Sequence, residues 1–316
     1  MAEVLTFGET MMVLSPAEQC SLRYNSCFFP KIAGAESNTA IGICKLGHSA
    51  EWISCIGTDE IGQFVLNSIR AEGVSANLAF SAEAPTGIMF KQILPSEDTR
   101  VYYYRKNSAF THFTPDNIPT TGFQSCKIFH ATGITPVLSA NSRDTLERMI
   151  SICKQQDIAI SFDPNIRLTL WRGQDYSDLL INIIKRANYV MMGLKEAEYL
   201  FHLTDPVTIH NFLFKNNSSL KYLALKDGAN GAYVSSPDEQ HFIPPYPCRS
   251  IDPVGAGDAF NAGFLTGILE DQPLQTCGNM AAICGALCTQ TFGDIEGLPD
   301  KQTLSRYLNN TTDIYR

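Results

Sequence analysis

With 316 residues, 44% of them hydrophobic, the chain is long enough for one large core plus a small accessory element. No fixed internal period is present, which excludes a repeat array. The formal net charge of −8 excludes the broad basic face that nucleic acid requires, and leaves room only for a local basic pocket facing a small anion.

The chain opens on Met1-Ala2-Glu3, with no basic n-region, so no signal peptide is expected. No apolar run reaches about 18 residues, so no membrane span is expected. Residues 10–32 and 86–106 are rich in β-formers and lack helical periodicity; Val101-Tyr102-Tyr103-Tyr104-Arg105 is the most β-prone stretch. They predict a small antiparallel sheet, a lid inserted into one domain spanning 1–316. Short apolar strands follow at Lys127–Thr132, Ala159–Asp163, Tyr189–Met192 and Tyr222–Lys226, with helices such as Ser142–Gln156 and Asp178–Ala187 between them. Strands alternating with helices predict a mostly parallel sheet covered on both faces. Polar residues cluster where those strands end: Asp163, Asn165 and Arg167; Gly193 and Glu196; Lys226, Asp227 and Gly228. Ligands of such sheets bind beyond the carboxyl ends of the strands. The ten cysteines include no CxxC pair; Cys277, Cys284 and Cys288 share one helical stripe and read as small packing residues in a reduced cytoplasm.

The stretch richest in chemistry is Asp252-Pro253-Val254-Gly255-Ala256-Gly257-Asp258-Ala259-Phe260. Three small residues, Gly255, Ala256 and Gly257, precede an apolar helical run, Ala259–Leu269. A glycine turn entering a helix aims backbone N–H groups and the positive end of the dipole at one point. Such an anion hole stabilises a phosphoryl group in transfer. Asp258 stands beside it as a general base for an attacking hydroxyl. The plainer role for Asp258 is a helix cap. No G-x-x-x-x-G-K-[ST] loop occurs, and Phe260 stands where a dinucleotide fingerprint has its third glycine.

This stretch resembles the D-T-x-G-A-G-D-x-F signature of the ribokinase-like (PfkB-type) carbohydrate kinases, with Pro253 in place of the Thr. Ala33-Gly34-Ala35-Glu36-Ser37-Asn38-Thr39-Ala40, Leu46-Gly47 and Ile56-Gly57-Thr58-Asp59-Glu60-Ile61-Gly62 resemble the family's N-terminal signature, in the right order. The resemblance covers nearly the whole chain. It implies a three-layer α/β/α sandwich with a small β lid, and transfer of the γ-phosphoryl group of ATP to a sugar hydroxyl with Mg²⁺. Asp258 would be the base, and Gly34, Ala35 and Asn38 would touch the sugar. The turn from Lys226 through Gly228 to Gly231 would hold the nucleotide, with Asn279 near the adenine. Asp252 matches a residue that binds a monovalent cation, K⁺, in several relatives. Glu196 fits the Glu of the family's N-x-x-E motif, tied to Mg²⁺, but Gly193 replaces the Asn.

Two further stretches, Arg100–Arg105 and Phe162-Asp163-Pro164-Asn165-Ile166-Arg167 with Leu170-Trp171, resemble those of 2-keto-3-deoxygluconate kinases. The implied substrate is that sugar acid, converted to its 6-phosphate. Phe90, Tyr103, Tyr104, Arg105 and Arg167 would contact it, and Asn165 and Arg167 the nucleotide. The side chains agree: a guanidinium holds a carboxylate in a planar fork, and tyrosines give flat faces and hydroxyls. Strand alternation allows only one of Tyr103 and Tyr104 to point inward. Two arginines favour an acid over a neutral sugar, which leaves fructokinase or ribokinase as the alternative. A sugar-binding regulator without catalysis would have lost Asp258 or the glycines, and all are present. The apolar lid face predicts a homo-oligomer.

Overall fold

The computed structural model describes residues 2–94 and 99–309, so the part of the lid segment at 95–98 lies outside the described residues. Labels number the strands in chain order. The main sheet contains β1 (Val4–Phe7), β4 (Ala50–Gly57), β5 (Ser75–Ser81), β8 (Ile128–Thr132), β9 (Ala159–Asp163), β10 (Tyr189–Gly193), β11 (Tyr222–Lys226), β12 (Ala232–Ser235) and β13 (Gln240–Ile243). Their order is β13-β12-β11-β10-β9-β8-β1-β4-β5. All pairs from β5 to β11 are parallel, and β12 and β13 add an antiparallel edge.

Helices cover both faces. Those at Ala140–Gln155, Ser177–Ile184, Leu194–Phe201 and Pro206–Asn216 pack on one side, around Phe129, Phe162 and Leu223. Those at Ala35–Lys45, Glu60–Ala71, Ala256–Leu269, Leu274–Cys288 and Lys301–Leu308 pack on the other, around Trp52, Met191 and Phe264. The resulting three layers explain why β8 is buried at every residue: a parallel strand with helices on both faces has no wet side. Cys277, Cys284 and Cys288 are buried in that second layer, as packing residues.

The lid is a separate sheet, β3-β2-β6-β7, made of β2 (Met11–Pro16), β3 (Phe28–Ala33), β6 (Ile88–Gln92) and β7 (Arg100–Tyr104). Its outer pairs are antiparallel, and the central β2–β6 pair is parallel. The pleat sorts its residues. Met11, Val13, Met89, Val101 and Tyr103 pack together on the inner face. Phe28, Phe90 and Tyr104 pack edge to face on the outer one, with ring centroids 5.6 Å apart in each pair.

Candidate active site

Parallel register places the polar strand ends level with one another. Thr132 of β8 pairs with Asp163 of β9, and Gly193 of β10 with Lys226 of β11. These ends, the inner face of the lid and the start of the Ala256–Leu269 helix enclose a cavity of about 900 Å³. Asp258, Gly255, Ala256, Gly257, Gly34, Ala35, Asn38, Tyr103, Arg105, Asn165, Arg167, Lys226, Gly228, Gly231 and Glu196 all line it.

The helix begins earlier than its apolar run predicts, at Ala256 with Gly255 as N-cap, so Asp258 lies inside the first turn. Gly255 has φ of 87°, a left-handed conformation that glycine adopts freely. Ala256 N–H is committed to the Pro253 carbonyl at 3.3 Å. The N–H groups of Gly257 and Asp258 have no acceptor among the described residues. The Gly255 N–H has none either, so three donors are available for an anion hole, whereas the sequence places it at Gly255, Ala256 and Gly257. A carbon added at Gly257 would lie 3.6 Å from Lys226 Nζ, so the ammonium lies close beside the helix start.

Asp258 is buried, and its carboxylate caps no backbone N–H among the described residues. Oδ2 accepts from Asn38 Nδ2 at 2.8 Å. Burial is the main cause that pushes its pKa up to about 7; the Asn38 hydrogen bond and Arg167 oppose, while Asp163 and Asp294 add to the rise. A carboxyl poised near neutrality suits a general base.

On the nucleotide side, Lys226 Nζ meets Asp163 Oδ2 at 2.6 Å, and Asn261 Nδ2 donates to the same oxygen at 2.7 Å. Asn165, with φ of 41°, donates its N–H to Asp163 Oδ1 at 3.0 Å, and its buried side-chain oxygen has no donor among the described residues. Arg167 is exposed and, among the described residues, hydrogen-bonds only to the Ile166 carbonyl at 3.2 Å. His130 is a core residue, hydrogen-bonded to Ser161 Oγ at 2.9 Å and held neutral by burial, which brings its pKa down to about 4.

The structure corrects several expectations. Phe90 and Tyr104 do not line the cavity: the period of two turns both to the outer face, and Tyr103 alone points in. Asn279 does not line it either; Ala282, one turn later on the same helix, does. Arg105 is buried and already paired, with Nε and Nη2 at 2.8 and 2.6 Å from Glu9 Oε2. Asp252 is fully buried; Oδ2 accepts from Lys91 Nζ at 2.9 Å and Oδ1 from Val254 N at 3.1 Å and Thr99 Oγ1 at 3.3 Å.

Glu9, Lys91, Asn261 and Asp294 escaped the sequence reading. Their partners lie far away in the chain: 96 residues separate Glu9 and Arg105, and 203 separate Lys91 and Asp294. The only local signal was a lysine two positions after Met89, on the apolar side of a lid strand. Glu36 is also buried, and its Oε1 accepts from Thr132 and Thr135 hydroxyls at 2.7 Å each.

A buried carboxyl beside an unsatisfied helix N-terminus, on one cavity with a lysine and an arginine, suits phosphoryl transfer. The family comparison agrees, since residues 1–301 match the pfkB family of carbohydrate kinases. The chain belongs to that family. It is 34% identical over 320 residues to a 2-dehydro-3-deoxygluconokinase of Bacillus subtilis (strain 168), covering 99% of this chain and 98% of the relative. It is 28% identical over 306 residues to fructokinase-2 of Oryza sativa subsp. japonica, covering 94% and 90%. Among solved structures, a putative ribokinase II of E. coli in complex with ATP and Mg²⁺ superposes with a TM-score of 0.91 over 98% of this chain and 100% of the other, at 23% identity.

That neighbour was solved with ATP and Mg²⁺ bound. The residues fit a metal that arrives with the nucleotide. Both Glu196 oxygens already accept backbone N–H groups, of Ile166 and Gly193, at 2.7 Å each. No group of three acidic, His or Cys side chains among the described residues forms a cage. A Mg²⁺ ion held mainly by phosphates and water suits that arrangement. A free monovalent cation at Asp252 fits poorly, because the buried Lys91 ammonium already lies 2.9 Å from Oδ2 and would repel a second cation there.

Proposed function

We propose that this kinase phosphorylates 2-keto-3-deoxygluconate at its 6-hydroxyl. The observation that carries the reading is the joint placement of Arg105 and Arg167 on the cavity that holds Asp258. Asp258 takes the proton of the attacking hydroxyl, and Asn38 fixes its orientation through Oδ2. Gly257 and Asp258 N–H groups, with Lys226 and Arg167, take up charge on the phosphoryl oxygens. Mg²⁺ would be held mainly by the nucleotide's own phosphates and would neutralise their charge. Tyr103, on the lid's inner face, closes over the carbon chain and keeps water from competing as acceptor.

Glu9 alters the argument for an acid substrate. It orients the Arg105 fork by engaging Nε and Nη2, and leaves Nη1, which has no acceptor among the described residues, for the sugar. It also neutralises the pair, and this favours a neutral sugar more than the sequence suggested. The two readings part in one assay. Arg105→Gln in a Glu9→Gln background avoids stranding a buried carboxylate. Assayed against the Glu9→Gln single variant on 2-keto-3-deoxygluconate and on fructose, it is expected to lose about 10- to 150-fold in kcat/KM on the acid and much less on fructose. A parent that prefers fructose, or equal loss on both sugars, makes the protein a fructokinase.

The lid supports assembly into a homo-oligomer through its outer face, where Tyr104 is 67% and Tyr102 42% exposed. Tyr104→Asp is expected to shift the sedimentation coefficient to that of a monomer; an unchanged value moves the interface elsewhere. No helix among the described residues is long and apolar enough to cross a membrane. Unpaired cysteines throughout the chain support a reducing, cytoplasmic setting.

A further inference from the structure

Lys91 is the largest buried charge that the catalytic reading leaves unused. It occupies the inner face of β6, two residues after Met89, and its side chain leaves the lid for the main domain. The ammonium is fully buried there. It lies 2.9 Å from Asp252 Oδ2 and 2.5 Å from Asp294 Oδ1. Burial pushes its pKa down, but the Asp294 and Asp252 carboxylates outweigh that and hold it above the ordinary lysine value. A buried ammonium persists only when paired in this way.

The two carboxylates frame the anion hole. Asp252 precedes Gly255 by three residues and fixes the turn through Val254 N–H. The Asp294 backbone packs on Gly255 itself: a carbon added there would lie 2.7 Å from the Asp294 carbonyl oxygen. The other oxygen of Asp294 faces Asn38 Nδ2 at 3.4 Å, and that amide also holds the base. One cation thus fixes both walls of the phosphoryl site and, through Asn38, the orientation of Asp258.

The resemblance had assigned Asp252 to a free monovalent cation. Here the charge adjacent to it is already positive. We propose that the Lys91 ammonium is a tethered monovalent cation that sets the anion-hole loop, so that phosphoryl transfer by this chain needs no free potassium. The inference rests on Gly255–Asp258 being the phosphoryl site. Lys91 is a positioning residue, since it acts through Asp252 and Asp294.

The test is a salt comparison on the full chain. The parent is assayed with ATP, Mg²⁺ and its preferred sugar in potassium, sodium and tetramethylammonium chloride at equal ionic strength. Its kcat is expected to stay within about twofold across the three, because the site's charge is supplied internally. Lys91→Ala is expected to lose at least about tenfold in kcat in tetramethylammonium, and to recover when potassium or methylammonium ions enter the vacated space. The variant's Tm is expected to rise with potassium, and the parent's is not. If Lys91→Ala does not fold, Lys91→Ala with Asp294→Asn leaves one buried carboxylate in place of two, and the same cation response is expected. Activation of the parent by potassium of about tenfold or more overturns the proposal, and this arm needs no variant. A folded variant that matches the parent without potassium also overturns it, as does one that no cation restores. Failure of the phosphoryl-site reading itself is seen separately, as full activity in Asp258→Asn.

Discussion

Asp258→Asn is expected to lower kcat by about 10²- to 10⁴-fold, as general bases typically contribute that much. The substitution is isosteric, and its side-chain oxygen can still accept from Asn38, as Asp258 Oδ2 does at 2.8 Å. The fold should therefore survive. The direction of the stability change follows from linkage. Asp258 has a pKa raised from 3.8 to about 7, chiefly by burial. Between those values the folded state keeps a proton that the unfolded state has lost, so this group's contribution to stability falls as pH rises through that window. Asn carries no charge to desolvate, and the variant's Tm at pH 8 should be no lower than the parent's. Activity within about tenfold of the parent would remove Asp258 from the role of base.

The same carboxyl shapes the pH profile. Only its ionised form accepts a proton, so kcat/KM should rise with pH through about 7 and level off above it. Asp163 and Asp294 push this limb upward, while Asn38 and Arg167 pull it down. Any residual activity of Asp258→Asn should lack the limb.

How much of this was legible in the sequence depended on how local the cause was. The bounds of β9 and β11 match the apolar runs residue for residue, because strands buried on both faces are continuous apolar runs that stop at the first polar ligand position. Tyr103 and Tyr104 were legible as an either-or, since the pleat sends neighbours to opposite faces; which of them faces in depends on how the lid docks. The Ala140–Gln155 helix starts two residues before its predicted first residue because Ser139 caps it, with Ser142 completing a capping box. The ion pairs were not legible. Glu9 with Arg105 and Lys91 with Asp294 join segments that meet only when the lid folds over the strand ends. No periodicity or spacing encodes such a meeting. The Glu9 partner of Arg105 went unread for that reason: the guanidinium faces the cavity and is also half satisfied by the protein.

Gly255→Ala is expected to lower kcat by about 10²-fold with little change in sugar binding, a loss typical of a displaced anion-hole donor. Two independent costs meet at this residue. Its φ of 87° disfavours any side chain, at about 1–2 kcal/mol. The added carbon would also lie 2.7 Å from the Asp294 carbonyl oxygen and 3.0 Å from its Cα, backbone atoms that cannot swing aside. The turn must move, and the free N–H groups of Gly257 and Asp258 move with it. With the sugar placed against the lid and the strand ends as proposed, its affinity should be spared, while Tm falls by several degrees. Gly257→Ala is the control for crowding without strain. Gly257 is not among the residues with positive φ, and the nearest atom to its new carbon is Lys226 Nζ, at 3.6 Å, the end of a flexible side chain. Gly257→Ala should therefore leave Tm near the parent's, whatever it does to the phosphates. A Gly255→Ala variant that turns over within about threefold of the parent would show that the turn does not set the phosphoryl site, and that Lys226 and Arg167 supply the stabilisation without it.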